Sequence, residues 1–377
     1  MKPIHFLIPA VAAAALALIG CKSGGGDAIK VGEYASLTGK EATYGIAMHE
    51  GTLLAIEQAN EAGGVLGKKI ELLVEDDQSK AGEPANVVSK LISRDGVVAV
   101  LGEFASSRSL EGGPICQQNQ IPMISPGSTN ADVTKIGNYI FRVCFTDPFQ
   151  GAALANFADS SLKAKKVAIL TDVKSDYSKG LARYFKERYT ALGGQITAEL
   201  DFNGGDKEFK AQLTTIKNSN PDAVFVPGYY NDVALICIQA KQIGLDKPFF
   251  GGDGWESHML TEIAKDAVEG HYFSTHCLVD QDTPKMTAFV AAYKKRFNKS
   301  PDAMATLGYD SAAVLIDAIK RAGTTDSIAL RDSIAATKNF EGVSGTFSLD
   351  ENRDAVKALV FARIQNGKFV YHATVNP

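Results

Sequence analysis

Val97-Val98-Ala99-Val100-Leu101, followed by Gly102-Glu103-Phe104-Ala105-Ser106-Ser107, is the stretch from which this chain is best read. The aliphatic run is short and bounded by glycine, which predicts a buried strand. Polar character returns after it, and Ser106 stands where a helix would begin. The same arrangement recurs at once: Ile121-Pro122-Met123-Ile124 is strand-like and leads into Ser125-Pro126-Gly127-Ser128-Thr129-Asn130. At a helix start the first backbone N–H groups lack partners, so the Ser106 hydroxyl and those amides can converge on one anion. Ser128 and Thr129 offer further donors from the second loop. No histidine or cysteine is interleaved to deprotonate a serine, so the pair reads as a cradle for a carboxylate and not as a nucleophile.

Strands and helices alternate on both sides of these loops. Ile29 to Tyr34, Ile70 to Val74, Val167 to Leu170, Ala223 to Val226 and Pro248 to Phe250 read as strands. Ile46 to Ala62 reads as a helix with Ile46, Leu53, Leu54 and Ile56 near one face, and Ala85 to Ile92 as a second helix. Leu181, Tyr184, Phe185 and Leu192 share a helical face, as do Met286, Phe289, Val290, Tyr293 and Phe297. The alternation predicts an α/β chain of parallel sheets covered by helices, with ligands at the carboxyl ends of strands. Both hydroxyl loops lie at such ends. A 377-residue chain with 45% hydrophobic residues supports a large core and favours two domains.

The N-terminus predicts export. Lys2 precedes an apolar run from Phe6 to Ile19, too short to span a bilayer and placed as a signal peptide is. It ends in Leu18-Ile19-Gly20-Cys21, which is similar to the bacterial lipobox, so Cys21 is the expected lipidation site. Residues 1–20 are then the signal and 21–27 a glycine-rich tether. Losing Lys2 with the signal leaves 38 cationic against 43 anionic side chains, a net of −5. That weak acidity argues against nucleic acid as a partner. The remaining cysteines, Cys116, Cys144, Cys237 and Cys277, are too scattered for a zinc site. Cys116 with Cys144 is the disulfide to test first in an exported protein, and four free thiols packed as small apolar groups is the alternative. The six histidines are dispersed and imply no metal.

Nucleotide and hydrolase motifs fail on spacing. Gly32 to Gly39-Lys40 has six intervening residues and Gly63 to Gly67-Lys68 has three, where a P-loop needs four. In Gly251-Gly252-Asp253-Gly254 an acid would repel a pyrophosphate, and no GxSxG or HExxH occurs. No cofactor is expected.

Taken together, a set of landmarks resembles one family. They are Ser36-Leu37-Thr38-Gly39 with Tyr44-Gly45, Ala59-Asn60-Glu61-Ala62-Gly63-Gly64, Glu75-Asp76-Asp77, Ser106-Ser107, and Ser125-Pro126 with Ser128-Thr129-Asn130. Further on come Phe141-Arg142, Asp147-Pro148-Phe149-Gln150-Gly151, and Asp176-Tyr177 with Gly180. In this order, from about Ile29 to Phe369, the chain resembles the periplasmic leucine/isoleucine/valine-binding proteins, substrate-binding subunits of branched-chain amino-acid ABC transporters. The resemblance implies a type I periplasmic binding protein: two Rossmann-like lobes joined by three crossings near Cys144–Asp147, Ser274–Cys277 and after Leu349-Asp350. Lobe one would hold 28–145 and 277–350, and lobe two 146–276 and 351–377. The implied mechanism is hinge closure around a free amino acid, with the closed form recognised by a membrane permease. A lipid-anchored, extracytoplasmic monomer without enzymatic activity is the corresponding expectation.

The resemblance also implies roles for residues. Ser106 and Thr129 would hold the ligand carboxylate, with Ser128 beside them. The Gly127 carbonyl would accept from the ammonium, and Asp253 would supply its counter-charge. Tyr44, Phe104, Tyr177, Tyr229 and Tyr309 would line the side-chain pocket, with Trp255 close by. From the residues alone, Ser106 and Thr129 also read as helix caps and Asp253 as a turn residue. Two further readings stay open: the same clamp holding another small polar ligand such as an amide or urea, or serving as a sensory receptor, and an exported hydrolase using Ser106 or Ser128.

Overall fold

The computed structural model describes residues 28–377, so the signal, the tether and Cys21 lie outside the described residues. Alternation of apolar strands with helices produces two parallel sheets. The first half gives β1 (Ile29–Ala35), α1 (Ala42–Glu61), β2 (Ile70–Asp76), α2 (Glu83–Ser93), β3 (Ala99–Leu101), α3 (Ser106–Gln118), β4 (Met123–Ser125) and β5 (Ile140–Arg142). Its strands are ordered β2-β1-β3-β4-β5, all parallel, with Val31 opposite Ala99 and Val100 opposite Met123.

The chain then builds a second sheet. It runs through α4 (Asp147–Ser160), β6 (Lys166–Asp172), α5 (Asp176–Ala191), β7 (Gln195–Phe202), α6 (Lys210–Asn218), β8 (Ala223–Phe225), α7 (Tyr230–Gln242), β9 (Phe249–Gly251), α8 (His258–Ala264) and β10 (Tyr272–Thr275). Helices α9 (Pro284–Phe297), α10 (Ala303–Ala322) and α11 (Ser327–Ala335) follow, with α9 and α10 packed on α1. A small antiparallel sheet comes next, from β11 (Phe340–Gly342), β12 (Gly345–Leu349) and β13 (Ala355–Val356). Finally β14 (Leu359–Gln365) and β15 (Lys368–Val375) return to the second sheet, ordered β15-β14-β10-β9-β8-β6-β7. Both of these last strands pair antiparallel. Leu349 opposes Ala355 and Ser348 opposes Val356, so the small sheet continues past the expected crossing after Asp350.

The strand order decides where a ligand sits. In the first sheet β1 lies between β2 and β3, and in the second β6 lies between β7 and β8, so each has a switch point at which consecutive loops turn to opposite faces. The connections after β1, β3 and β4, with the first turns of the helices they lead into, carry Tyr44, Ser106 and Thr129, and those after β6, β8 and β9 carry Tyr177, Tyr229 and Asp253.

One helical face differs in part from expectation. Leu54 and Ile56 are buried and Leu53 half-buried, but Ile46 is 39% exposed, and α1 also buries Tyr44, Gly45, Ala47, Met48, Gly51, Thr52 and Ala55. The reason is close approach: a Cβ on Gly51 would overlap the Ala305 carbonyl, and one on Gly308 the Met48 carbonyl. Small residues let α1 and α10 touch backbone to backbone, which an apolar-periodicity search does not register. All four described cysteines are free and buried; Cys116 and Cys144 are not bonded.

Candidate functional site

Ser106 opens α3 as expected, and it is buried. Its hydroxyl oxygen accepts the Asn130 backbone N–H at 3.1 Å, which leaves its own proton free to donate. Thr129 is buried, and its hydroxyl makes no close hydrogen bond, the Asp147 carboxyl being its polar neighbour. Ser128 is otherwise engaged: its hydroxyl lies 2.7 Å from the Ser109 hydroxyl and bonds the carbonyls of Glu103 and Phe104 at 2.8 and 3.0 Å. Ser128 thus ties the two loops together. Gly127 packs directly under Phe104, where a Cβ would come within 2.6 Å of the ring.

Five aromatic rings close the space above these loops. Tyr44 stacks on Phe104 at 4.2 Å, Tyr177 stacks on Tyr229 at 5.3 Å, and Tyr229 lies 5.7 Å from Tyr44 and 5.8 Å from Phe104. Tyr230, immediately after Tyr229, meets the edge of Tyr44 at 5.3 Å. Burial pushes the phenols of Tyr44, Tyr177 and Tyr229 well above their usual range, so all three are neutral hydroxyls.

Asp253 opens a short 3-10 turn after β9 and is buried. Its Oδ1 accepts from Gln150 Nε2 at 2.8 Å, and its Oδ2 lies 3.3 Å from His276 Nε2. Burial lowers the His276 pKa, and the ring stacks on Phe145 at 3.9 Å. A neutral imidazole donating from Nε2 leaves Asp253 with no cationic partner at these contacts. The turn also reaches the aromatic cluster, since the Gly254 amide donates to the Tyr177 hydroxyl at 3.1 Å and its carbonyl accepts from Tyr44. Asp147, first residue of α4, links the two sides. Its backbone N–H donates to the Thr129 carbonyl at 2.8 Å, and both carboxyl oxygens are buried without partners. Burial pushes its carboxyl well above the usual range, the neighbouring Thr129 hydroxyl pulls the other way, and nearby Asp253 adds to the rise.

The structure therefore gathers Ser106, Gly127, Ser128, Thr129, Tyr44, Phe104, Tyr177, Tyr229 and Asp253 between the two sheets. It does not bring Tyr309 there. That hydroxyl bonds Gln58 at 2.7 Å, and the residue lines a separate cavity of about 720 Å³ with Phe289 and Phe340. Trp255 is fully buried, its indole N–H donating to the Val226 carbonyl at 2.9 Å. It is the last residue of the Asp253 turn and ties that turn to the end of β8.

Among the described residues, no group of three or more His, Cys, Asp or Glu side chains could hold a metal. Among them, too, no helix is long and apolar enough to cross a membrane.

Comparison with known proteins agrees with this architecture. The family model described as periplasmic binding protein matches residues 28–368. The leucine-, isoleucine-, valine-, threonine- and alanine-binding protein of Pseudomonas aeruginosa is 33% identical over 345 residues, 91% of each chain. The chain belongs to the periplasmic leucine/isoleucine/valine-binding protein family. Members of known structure superpose on it closely. The leucine-binding protein of Thermotoga maritima is 41% identical with a TM-score of 0.89, covering 93% of this chain and 99% of its own. The branched-chain amino acid transporter substrate-binding protein of Streptococcus pneumoniae, solved with isoleucine, is 36% identical with a TM-score of 0.88, covering 93% and 100%. The fold of this family member is that of a type I periplasmic binding protein, and the family places it outside the cytoplasm.

Several residues at the family member's site escape a sequence reading. Ser107 Oγ accepts the Asp176 amide N–H at 3.0 Å, and Asn130 Nδ2 donates to the Asp176 carbonyl at 2.7 Å, so the backbone of Asp176 at the start of α5 is clasped on both sides from the first sheet's loops. The Tyr230 amide donates to the Tyr44 hydroxyl at 3.1 Å, and the Tyr230 hydroxyl lies 2.8 Å from Thr43 Oγ1. Ser107 and Asn130 stand in the quoted loops and Gln150 in the Asp147–Gly151 run, but only the three-dimensional approach gives them partners. His276, alone after β10, carries no sequence signal.

Proposed function

We propose that this protein captures a free, apolar α-amino acid, with branched-chain side chains foremost, by closing two lobes around it. It then presents the closed form to an ABC permease. In this reading lobe one holds residues 28–145 and 277–356 and lobe two 146–276 and 357–377. Closure turns on the segments that join the two sheets. Cys21 carries a lipid that anchors a monomer to the membrane surface, and no reaction is catalysed.

One observation carries the reading: Asp253 is buried with only neutral side chains on its oxygens, and the contiguous rings of Tyr177, Tyr229, Tyr44 and Phe104 run from its turn in one sheet to the hydroxyl loops of the other. An uncompensated buried acid is costly unless a cation joins it. The Ser106 proton and the Thr129 hydroxyl supply the opposite need, donors awaiting an anion. A zwitterion satisfies both ends at once, and the rings of Tyr44, Phe104, Tyr177 and Tyr229 offer an apolar wall to its side chain. The names of the relatives, which bind leucine, isoleucine, valine, threonine and alanine, support the same ligand class.

The test is a thermal-shift and calorimetry series with leucine, isoleucine, valine, threonine, alanine, urea and acetamide. A tight ligand raises the melting temperature by mass action. Stabilisation by urea or acetamide with none by the amino acids would replace this reading with the small-amide one.

A further inference from the structure

Lys40 stands in the connection between β1 and α1, with its side chain 36% exposed. Its Nζ lies 3.3 Å from Glu41 Oε1, but that carboxylate is shared, because Glu41 Oε2 meets Arg108 at 3.1 Å. Opposite Lys40 are two acids of the second sheet and its helices. Asp172 ends β6 and Asp232 lies in the first turn of α7, and both are buried. Asp172 Oδ1 accepts the N–H groups of Lys174 and Gly204 at 2.9 and 2.8 Å, while its Oδ2 is buried without a partner. Asp232 Oδ1 accepts the Gly205 N–H at 2.9 Å. Burial raises the Asp232 carboxyl to about 6. The Gly205 N–H and the Lys40 charge pull against that rise, Asp172 adds to it, and Lys207 opposes it.

Gly204, just after β7, marks where the two sides meet. A Cβ there would overlap Asp172 Oδ2 and stand 3.2 Å from Lys40 Nζ, so both groups face the same open side of one glycine. Two neighbouring buried carboxylates repel, and an unpartnered oxygen adds a desolvation cost. An ammonium brought in from the opposite wall relieves both. We propose that Lys40 is an electrostatic latch, settling between Glu41 on its own side and the Asp172–Asp232 pair on the other when the lobes shut, and slowing their reopening. The inference rests on the amino-acid reading and adds to it a positioning residue that acts on the closed state, not on the cargo. An attraction made only in the closed form retards release more than it speeds capture, and salt screens it.

Stopped-flow release of leucine tests this in the protein and in its Lys40→Met, Lys40→Arg and Asp172→Asn variants, in dilute buffer and in about 1 M sodium chloride. Asp172→Asn removes the charge while keeping an oxygen for the Lys174 and Gly204 N–H groups. In dilute buffer Lys40→Met is expected to release leucine about 3- to 10-fold faster than the unmodified protein, and Lys40→Arg to release it at nearly the parent rate. In salt the parent is expected to approach the Lys40→Met rate. In the Asp172→Asn background Lys40→Met is expected to add little. Leucine and valine should be affected alike, since Lys40 touches neither. An unchanged release rate in Lys40→Met, an acceleration that salt leaves intact, or a full effect in the Asp172→Asn background overturns the latch while the amino-acid reading stands. Binding of no amino acid by the unmodified protein overturns that reading, and the latch with it.

Discussion

At the scale of single residues, burial and partnership separate side chains that look alike in sequence. Asp253 and Tyr309 both stand in the sequence-derived site, yet only Asp253 lies beside the aromatic cluster between the sheets, while Tyr309 packs against Gln58 and Phe289. Asp253→Ala is expected to weaken amino-acid binding by about 30- to 4000-fold, because the ammonium loses a desolvated partner. Tyr309→Phe is expected to leave affinity within about twofold, since it removes only a bond to Gln58. Isothermal calorimetry on both variants reads the contrast, and equal losses would undo the assignment of Asp253. Short polar residues in strand-end loops were legible because their chemistry is local: a hydroxyl near a helix start advertises itself. Gln150 and His276 were not, because each acquires meaning from a carboxylate more than a hundred and exactly twenty-three positions away respectively along the chain.

At the scale of elements, the parallel strands β1 to β4, β6, β8 and β9 were legible from short apolar runs, and helices α1, α2, α5 and α9 from their periodicity. The face of α1 was not. Its contact with α10 depends on glycines that let carbonyls approach, so the apolar residue Ile46 points outward while Gly51 is buried. Gly308→Ala is expected to cost about 1–3 kcal/mol through overpacking against the Met48 carbonyl. Thermal or urea unfolding checks it, and an unchanged midpoint would mean that the helices separate at no cost. The antiparallel pair β14 and β15 also went unread. Strand β15 alternates only weakly and lies mostly exposed at a sheet edge, so burial leaves little imprint on its composition.

At the scale of the whole molecule, the contacts between the two sheets' loops set how readily the protein shuts. The Asp176 backbone is held by Ser107 on its N–H and by Asn130 on its carbonyl. Replacing both with alanine is expected to weaken every amino acid by a common factor, because the closed state becomes less populated while the contacts to ligand persist. Small-angle scattering should show the variant more extended at partial saturation. A change in the ranking of ligands would instead assign these residues to recognition. Stability also carries a pH signature. Burial alone would lower the His49 pKa, but the Glu33 carboxylate 2.6 Å away outweighs it and the net shift is upward. A folded-state pKa above the unfolded value near 6.5 gives stability that is complete below that pH and lost as pH rises through the folded value. His49→Gln should therefore differ most from the parent in acid and converge with it in mild alkali, as followed by melting temperature. A gap that widens with pH would contradict the ion pair.

The donors for an anion and the acid for a cation come from different sheets. On the proposed reading, each lobe alone is a half-site with a preference for one end of the cargo. A molecule carrying just one of those ends, such as 4-methylpentanoate or isopentylamine, would dock on a single wall and leave the other unsatisfied. It would occupy the receptor without drawing the walls together, and so would block uptake while never being carried.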